Sequence, residues 1–169
     1  LGDVYKRQEV KYADLNPASS ECDLFDAAIS EFNGKYIEAF MTSASPGIVC
    51  TTLGNKYYES HSDYVYAMAA EMKKEYDLIH SRGYLLQLDC PDLAGSRHAE
   101  HQNLTEKEFL RDAEKSVEAL NAATRNIPPE AMRMHICWLN YAGPHTHDIP
   151  VSRLIDLLSK SVSSLPSNR

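Results

Sequence analysis

Residues 82–92, Arg82-Gly83-Tyr84-Leu85-Leu86-Gln87-Leu88-Asp89-Cys90-Pro91-Asp92, decide the fold. A glycine closes a helical pattern, an apolar run follows, and the run ends in polar residues and a proline. The pattern before it covers about 62–82 and sets Val65, Met68, Ala69, Met72 and Ile79 on one helical face. Residues 84–89 then read as a strand. Helix, tight turn, strand and polar loop together make part of a repeating β/α unit.

The same succession recurs on both sides. Upstream, Phe25, Ala28, Ile29 and Phe32 recur at helical spacing, Gly34 stops them, and 36–42 reads as a strand. Downstream, Thr105-x-x-Glu108 is a capping box opening a helix that buries Phe109, Ala113, Val117 and Leu120. Asn126-Ile127-Pro128-Pro129 ends it, and 132–138 reads as a third strand. A fourth helix takes Asp148 as N-cap, Pro150 in its first turn, and Val151, Leu154, Ile155 and Leu158 as its apolar face. The polar ends of the strands (Met41, Asp89, Cys137) are evenly spaced. The expected fold class is α/β with a parallel sheet: a (β/α)8 TIM barrel, present as a partial barrel of about three β/α units, since a closed one takes roughly 250 residues. A small doubly wound domain is the competing reading, though no glycine-rich phosphate loop follows any strand.

The chain has 169 residues and a formal charge of −7, with 43% hydrophobic and 24% charged residues, as one ordinary globular domain has. Within it, 1–8 resembles a translated adaptor and is expected to be non-native. Residues 9–160 are expected to form the partial catalytic barrel, and 161–169 a polar tail. The acidic balance argues against a nucleic-acid partner, because binding phosphate needs clustered Lys and Arg. No apolar run approaches the roughly 18 residues of a membrane span, so no membrane partner is expected. Four cysteines without a CxxC pair read as thiols of a cytoplasmic protein rather than a disulfide framework.

In parallel β/α folds, ligands bind at the carboxyl ends of the strands. There the sequence places Thr42-Ser43-Ala44-Ser45-Pro46-Gly47, then Gln87-Leu88-Asp89-Cys90, then His135-Ile136-Cys137-Trp138. Residues i and i+2 of a strand share a face, so the His135 imidazole and the Cys137 thiol converge on one side, as do Gln87 and Asp89. A borderline-soft cation such as Zn²⁺ accepts one nitrogen and one thiolate; a buried histidine and a core cysteine explain the same pair. For Asp89 the two readings are a substrate contact and a cap on the following turn. His145 and His147, in Gly143-Pro144-His145-Thr146-His147-Asp148, read either as metal ligands or as a solvated loop. Arg97, His98 and His101 read as exposed, and Cys22 and Cys50 as buried small hydrophobes.

Taken together, Glu38-Ala39-Phe40-Met41-Thr42-Ser43-Ala44-Ser45-Pro46-Gly47, Leu86-Gln87-Leu88-Asp89-Cys90-Pro91-Asp92-Leu93-Ala94 and His135-Ile136-Cys137-Trp138 resemble the cobalamin-independent methionine synthase family. The likeness is closest to its shorter, methionine synthase II-like members and runs over about 9–160. It implies a zinc-dependent transfer of a methyl group from a methyltetrahydrofolate-like donor to the thiol of homocysteine. His135 and Cys137 would be metal ligands, and the family's other two ligands, a Glu and a second Cys, would lie beyond Arg169. Asp89, Gln87, Ser43 and Ser45 would bind substrate. Cys90 and Asp92 depart from the family's usual Glu and Ala at the rim, which leaves room for a different donor or acceptor. Two alternatives go with the resemblance. One is a zinc-dependent thiol alkyltransferase in which coenzyme M opens an epoxide; the other is a fragment that catalyses nothing by itself.

Overall fold

A computed structural model describes residues 4–32, 34–138, 140 and 142–161. In chain order the elements are β1 (Tyr5–Lys6), α1 (Asn16–Ser30), β2 (Phe40–Ala44), α2 (Pro46–Thr52), β3 (Gly54–Asn55), α3 (His61–Ser81), β4 (Leu85–Asp89), α4 (Ser96–Ala99), α5 (Glu106–Thr124), β5 (Met132–His135) and α6 (Val151–Leu158). Short 3-10 turns at Pro91–Leu93 and Pro129–Ala131 join them.

The expectation of a partial (β/α)8 barrel is corrected by the sheet. β2, β4 and β5 form one open parallel sheet in that order, while β1 and β3 pair separately, parallel and two residues long. Among the described residues there is no closed barrel. Closure requires strands tilted and paired at both edges right round the ring, whereas among the described residues β2 and β5 each pair on one side only. Part of the expected first unit is also spent differently: the chain after β2 forms the short helix α2 and then β3, which joins β1 rather than the larger sheet. Residues 4–6 thus take part in the described structure, with Gly54 N–H donating to the Val4 carbonyl at 3.0 Å. Of the tail 161–169, only Ser161 lies among the described residues.

The strands are shorter than their apolar patterns. β2 begins at Phe40, and Ile37 is fully exposed, because β4 starts only at Leu85 and offers nothing opposite 36–38. β5 stops at His135. Beyond it the chain still follows the next turn, its His135 and Cys137 carbonyls accepting from the N–H groups of Cys90 (2.9 Å) and Gly95 (3.0 Å).

One face of the sheet is covered. Leu86 and Leu88 are fully buried and Met132 nearly so, with Tyr64, Val65 and Tyr76 of α3 in the same core. α3 lies against β2 and β4 and packs on α5. Every residue expected on the buried faces of α3 and α5 is buried. The capping box also forms: the Glu108 N–H donates to Thr105 Oγ1, and the Thr105 N–H to Glu108 Oε2 at 2.9 Å. α1 buries Cys22 with Phe25 and Ile29 partly covered, while Phe32 lies past its end and is exposed. In α6 the buried pair is Leu154 and Leu157, and Val151 and Ile155 face out. Its N-cap is Pro150, not Asp148, whose carboxylate turns back to the His145 ring at 2.9 Å. Among the described residues, no helix is long and apolar enough to cross a membrane.

Candidate functional site

Strand register brings the rim together. Ala44, Asp89 and His135 are Cα partners in one row at the carboxyl ends of β2, β4 and β5. Side chains alternate across a sheet, so Asp89 and His135 project from the face that the helices leave uncovered. Their side chains keep 41% and 54% of their accessible surface, with His135 Nε2 3.9 Å from Asp89 Oδ1. That separation is too long for a hydrogen bond, and among the described residues Asp89 holds no hydrogen bond to its carboxylate. Cys137 stands two residues past His135, half-buried, on backbone that Gly95 anchors.

Two residues back along the strands, and so on the same face, Thr42, Gln87 and Arg133 are partners. Gln87 Nε2 donates to Thr42 Oγ1 at 3.0 Å, and Arg133 Nε donates to Gln87 Oε1 at 2.9 Å. Gln87 therefore spends both ends of its amide on its neighbours and acts as a brace. The Arg133 guanidinium lies 3.6 Å over the Phe40 ring. The sequence reading passed over Arg133 and Phe40, since a lone arginine between two methionines carries no local signal of function.

Ser43 and Ser45 do not join Asp89 and His135. Ser43 is one residue out of step with the rim row, so it faces α3 and donates to Glu75 Oε1 at 2.5 Å. Ser45 is the N-cap of α2, accepting from Ile48 N–H at 3.2 Å and donating to Asp92 Oδ1 at 2.5 Å. Both serines are buried. Cys90 and Asp92, expected beside Asp89 on the rim, lie beneath it instead. Cys90 is fully buried, and burial pushes its thiol well above the ordinary range, so it is held as the neutral thiol.

Asp92 anchors a buried polar knot. Its carboxyl meets the hydroxyls of Ser45 and Ser116, and burial pushes its pKa up from 3.8 to about 6 against those hydrogen bonds. Gly47 makes room for it: a Cβ there would stand 1.9 Å from Asp92 Oδ2. Beside the knot, on the helical side of the molecule and away from His135, a recess of about 250 Å³ is lined by Thr51, His61, His101 and Asp112 among others. Desolvation lowers the His101 pKa there.

His98, expected at the surface, is buried and stacks on His145, with ring centroids 5.2 Å apart and planes at 22°. His147 lies tilted at 5.8 Å from it. Stacked rings offer their faces rather than their nitrogens to one another. Among the described residues no three His, Cys, Asp or Glu side chains stand close enough to hold a metal ion.

The chain matches no family model, no curated protein and no solved structure. The site is therefore judged by its own donors. An imidazole at the end of β5 and a thiol two residues past it are donors of the kinds a borderline-soft cation accepts. They would supply two ligands, and Asp89 Oδ1 lies 3.9 Å from His135 Nε2. The chemistry of the donor set fits zinc, and its number leaves positions open.

Proposed function

We propose that the chain carries the thiol-binding rim of a zinc-dependent methyltransferase, which passes a methyl group from a methyltetrahydrofolate-like donor to a homocysteine-like thiol. The observation that carries the reading is the rim row itself. Asp89 and His135 are register partners on the uncovered face of the sheet, with Cys137 two residues on.

Each group has a task within the reach of its chemistry. His135 would offer an imidazole nitrogen, and Cys137 sulfur, which binds metal as the thiolate. Zinc held by these two would supply the Lewis acidity that keeps an incoming thiol, ordinarily titrating near 8.5, in its thiolate form at neutral pH. Asp89 accepts a charge-assisted hydrogen bond from the substrate ammonium, which fixes the amino-acid end while the sulfur is presented. The Thr42–Gln87–Arg133 brace beneath stiffens the strand ends from which these groups project.

Calorimetry of the zinc-loaded chain tests this, with homocysteine and its oxygen counterpart homoserine as ligands. Homocysteine is expected to bind, homoserine to bind at least about tenfold more weakly, and the His135→Ala variant to lose the distinction. Equal binding of the two would contradict a sulfur-directed site.

A further inference from the structure

Arg133 is built into the uncovered face of the sheet. Its Nε–H is fixed on Gln87, and the guanidinium plane is held against Phe40. Stacking on an aromatic face and a hydrogen bond at one edge remove most of the freedom of a long side chain before any ligand arrives. Arg133 makes no ion pair with a carboxylate among the described residues, although the chain carries a formal charge of −7. Among the described residues Lys35, Lys107 and Arg125 make none either; what sets Arg133 apart is its stacked and braced placement on the uncovered face. The terminal N–H groups of a guanidinium form a fork that matches the two oxygens of a carboxylate. The residue also shares its face with His135, two positions on, and its partner Gln87 stands two positions before Asp89.

We propose that Arg133, stacked on Phe40 and braced by Gln87, is a binding residue for a carboxylate of the ligand that reaches the Asp89–His135 rim. This rests on the functional reading above and deepens it: the ligand is an acid that lies across the open sheet, reacting end at the rim and anionic group over Arg133. Two sources offer that carboxylate, the amino-acid thiol and the glutamate of a folate-like donor.

Nitrogen-15 NMR of the Arg133 side chain, with calorimetry, tests it. Glutarate, a dicarboxylate with neither thiol nor methyl group to transfer, is expected to shift the Arg133 Nε–H resonance in the metal-free chain. Homocysteine is then compared with 3-aminopropane-1-thiol, which lacks the carboxylate, and methyltetrahydrofolate with the primary amide of methyltetrahydropteroate, which has neither the glutamate nor a free carboxylate. Arg133→Met is expected to erase an advantage of about tenfold for the acid-bearing member of one pair, and which pair names the source. Arg133→Lys, which keeps the charge but not the fork, is expected to restore part of it. A glutarate shift in a chain that ignores thiols and zinc would uphold the Arg133 site and overturn the methyltransferase reading. No glutarate shift, or an Arg133→Met variant that matches the native chain on both pairs and differs only in melting temperature, would reduce Arg133 to a structural brace and overturn the proposal.

Discussion

At the scale of single residues, Asp92 shows how a charge can be kept where water cannot reach it. The Ser45 and Ser116 hydroxyls favour its ionised form, yet burial wins and the pKa rises from 3.8 to about 6. The folded state then holds the proton more tightly than the unfolded chain. Stability from this group is full below 3.8 and is lost as pH climbs through 6, a change of about 3 kcal/mol. Asp92→Asn has no charge to desolvate. Urea unfolding of both proteins on either side of this window should show the native chain losing stability relative to the Asn variant as pH rises. Parallel pH profiles would contradict the assignment. The same parity argument separates the rim residues: Ser43 differs from its neighbours Thr42 and Ala44 by a single position and so faces the core. A one-residue change in where a strand ends moves a side chain to the opposite face. Sequence alone does not show that parity, nor that Ser45, just past β2, caps α2, so both serines read as pocket residues although the fold turns Ser43 to Glu75 and Ser45 to Asp92.

At the scale of elements, the local signals that carry energy are the ones the sequence shows. The Thr105–Glu108 box, Gly83 at φ 82° and the apolar faces of α3 and α5 are all legible because each depends on residues within a few positions of one another. The capping box satisfies N–H groups that the first turn of α5 leaves without partners. Thr105→Ala should therefore cost about 1 kcal/mol, read as a lower urea midpoint with an unchanged slope. An unaltered midpoint would show that α5 is held by packing alone. The start of α6 was not legible, because Asp148 resembles a cap and instead faces His145. Nor was the burial of His98, which is set by a loop almost fifty positions away rather than by its neighbours.

At the scale of the molecule, the order and direction of β2, β4 and β5 followed from the repeated succession of helix and strand. Whether a sheet closes depends on what pairs with its outer edges, and no stretch of local sequence encodes that. The two-residue strands β1 and β3 are too short to show any periodicity, so their pairing was invisible. The candidate site shows the same division. Asp89 and His135 meet because strands of like spacing end in register, whereas Arg133 acquires meaning only from Phe40 and Gln87 on two other strands. The account stands on His135 and Cys137 acting together on a metal. Titration of the chain with Co²⁺, a spectroscopic stand-in for zinc, reads this directly through thiolate-to-metal absorption. The band should appear in the native chain and in Cys90→Ala, vanish in Cys137→Ser, and require far more cobalt in His135→Ala. A band that survives Cys137→Ser, or a native chain that shows none at saturating cobalt, would contradict it.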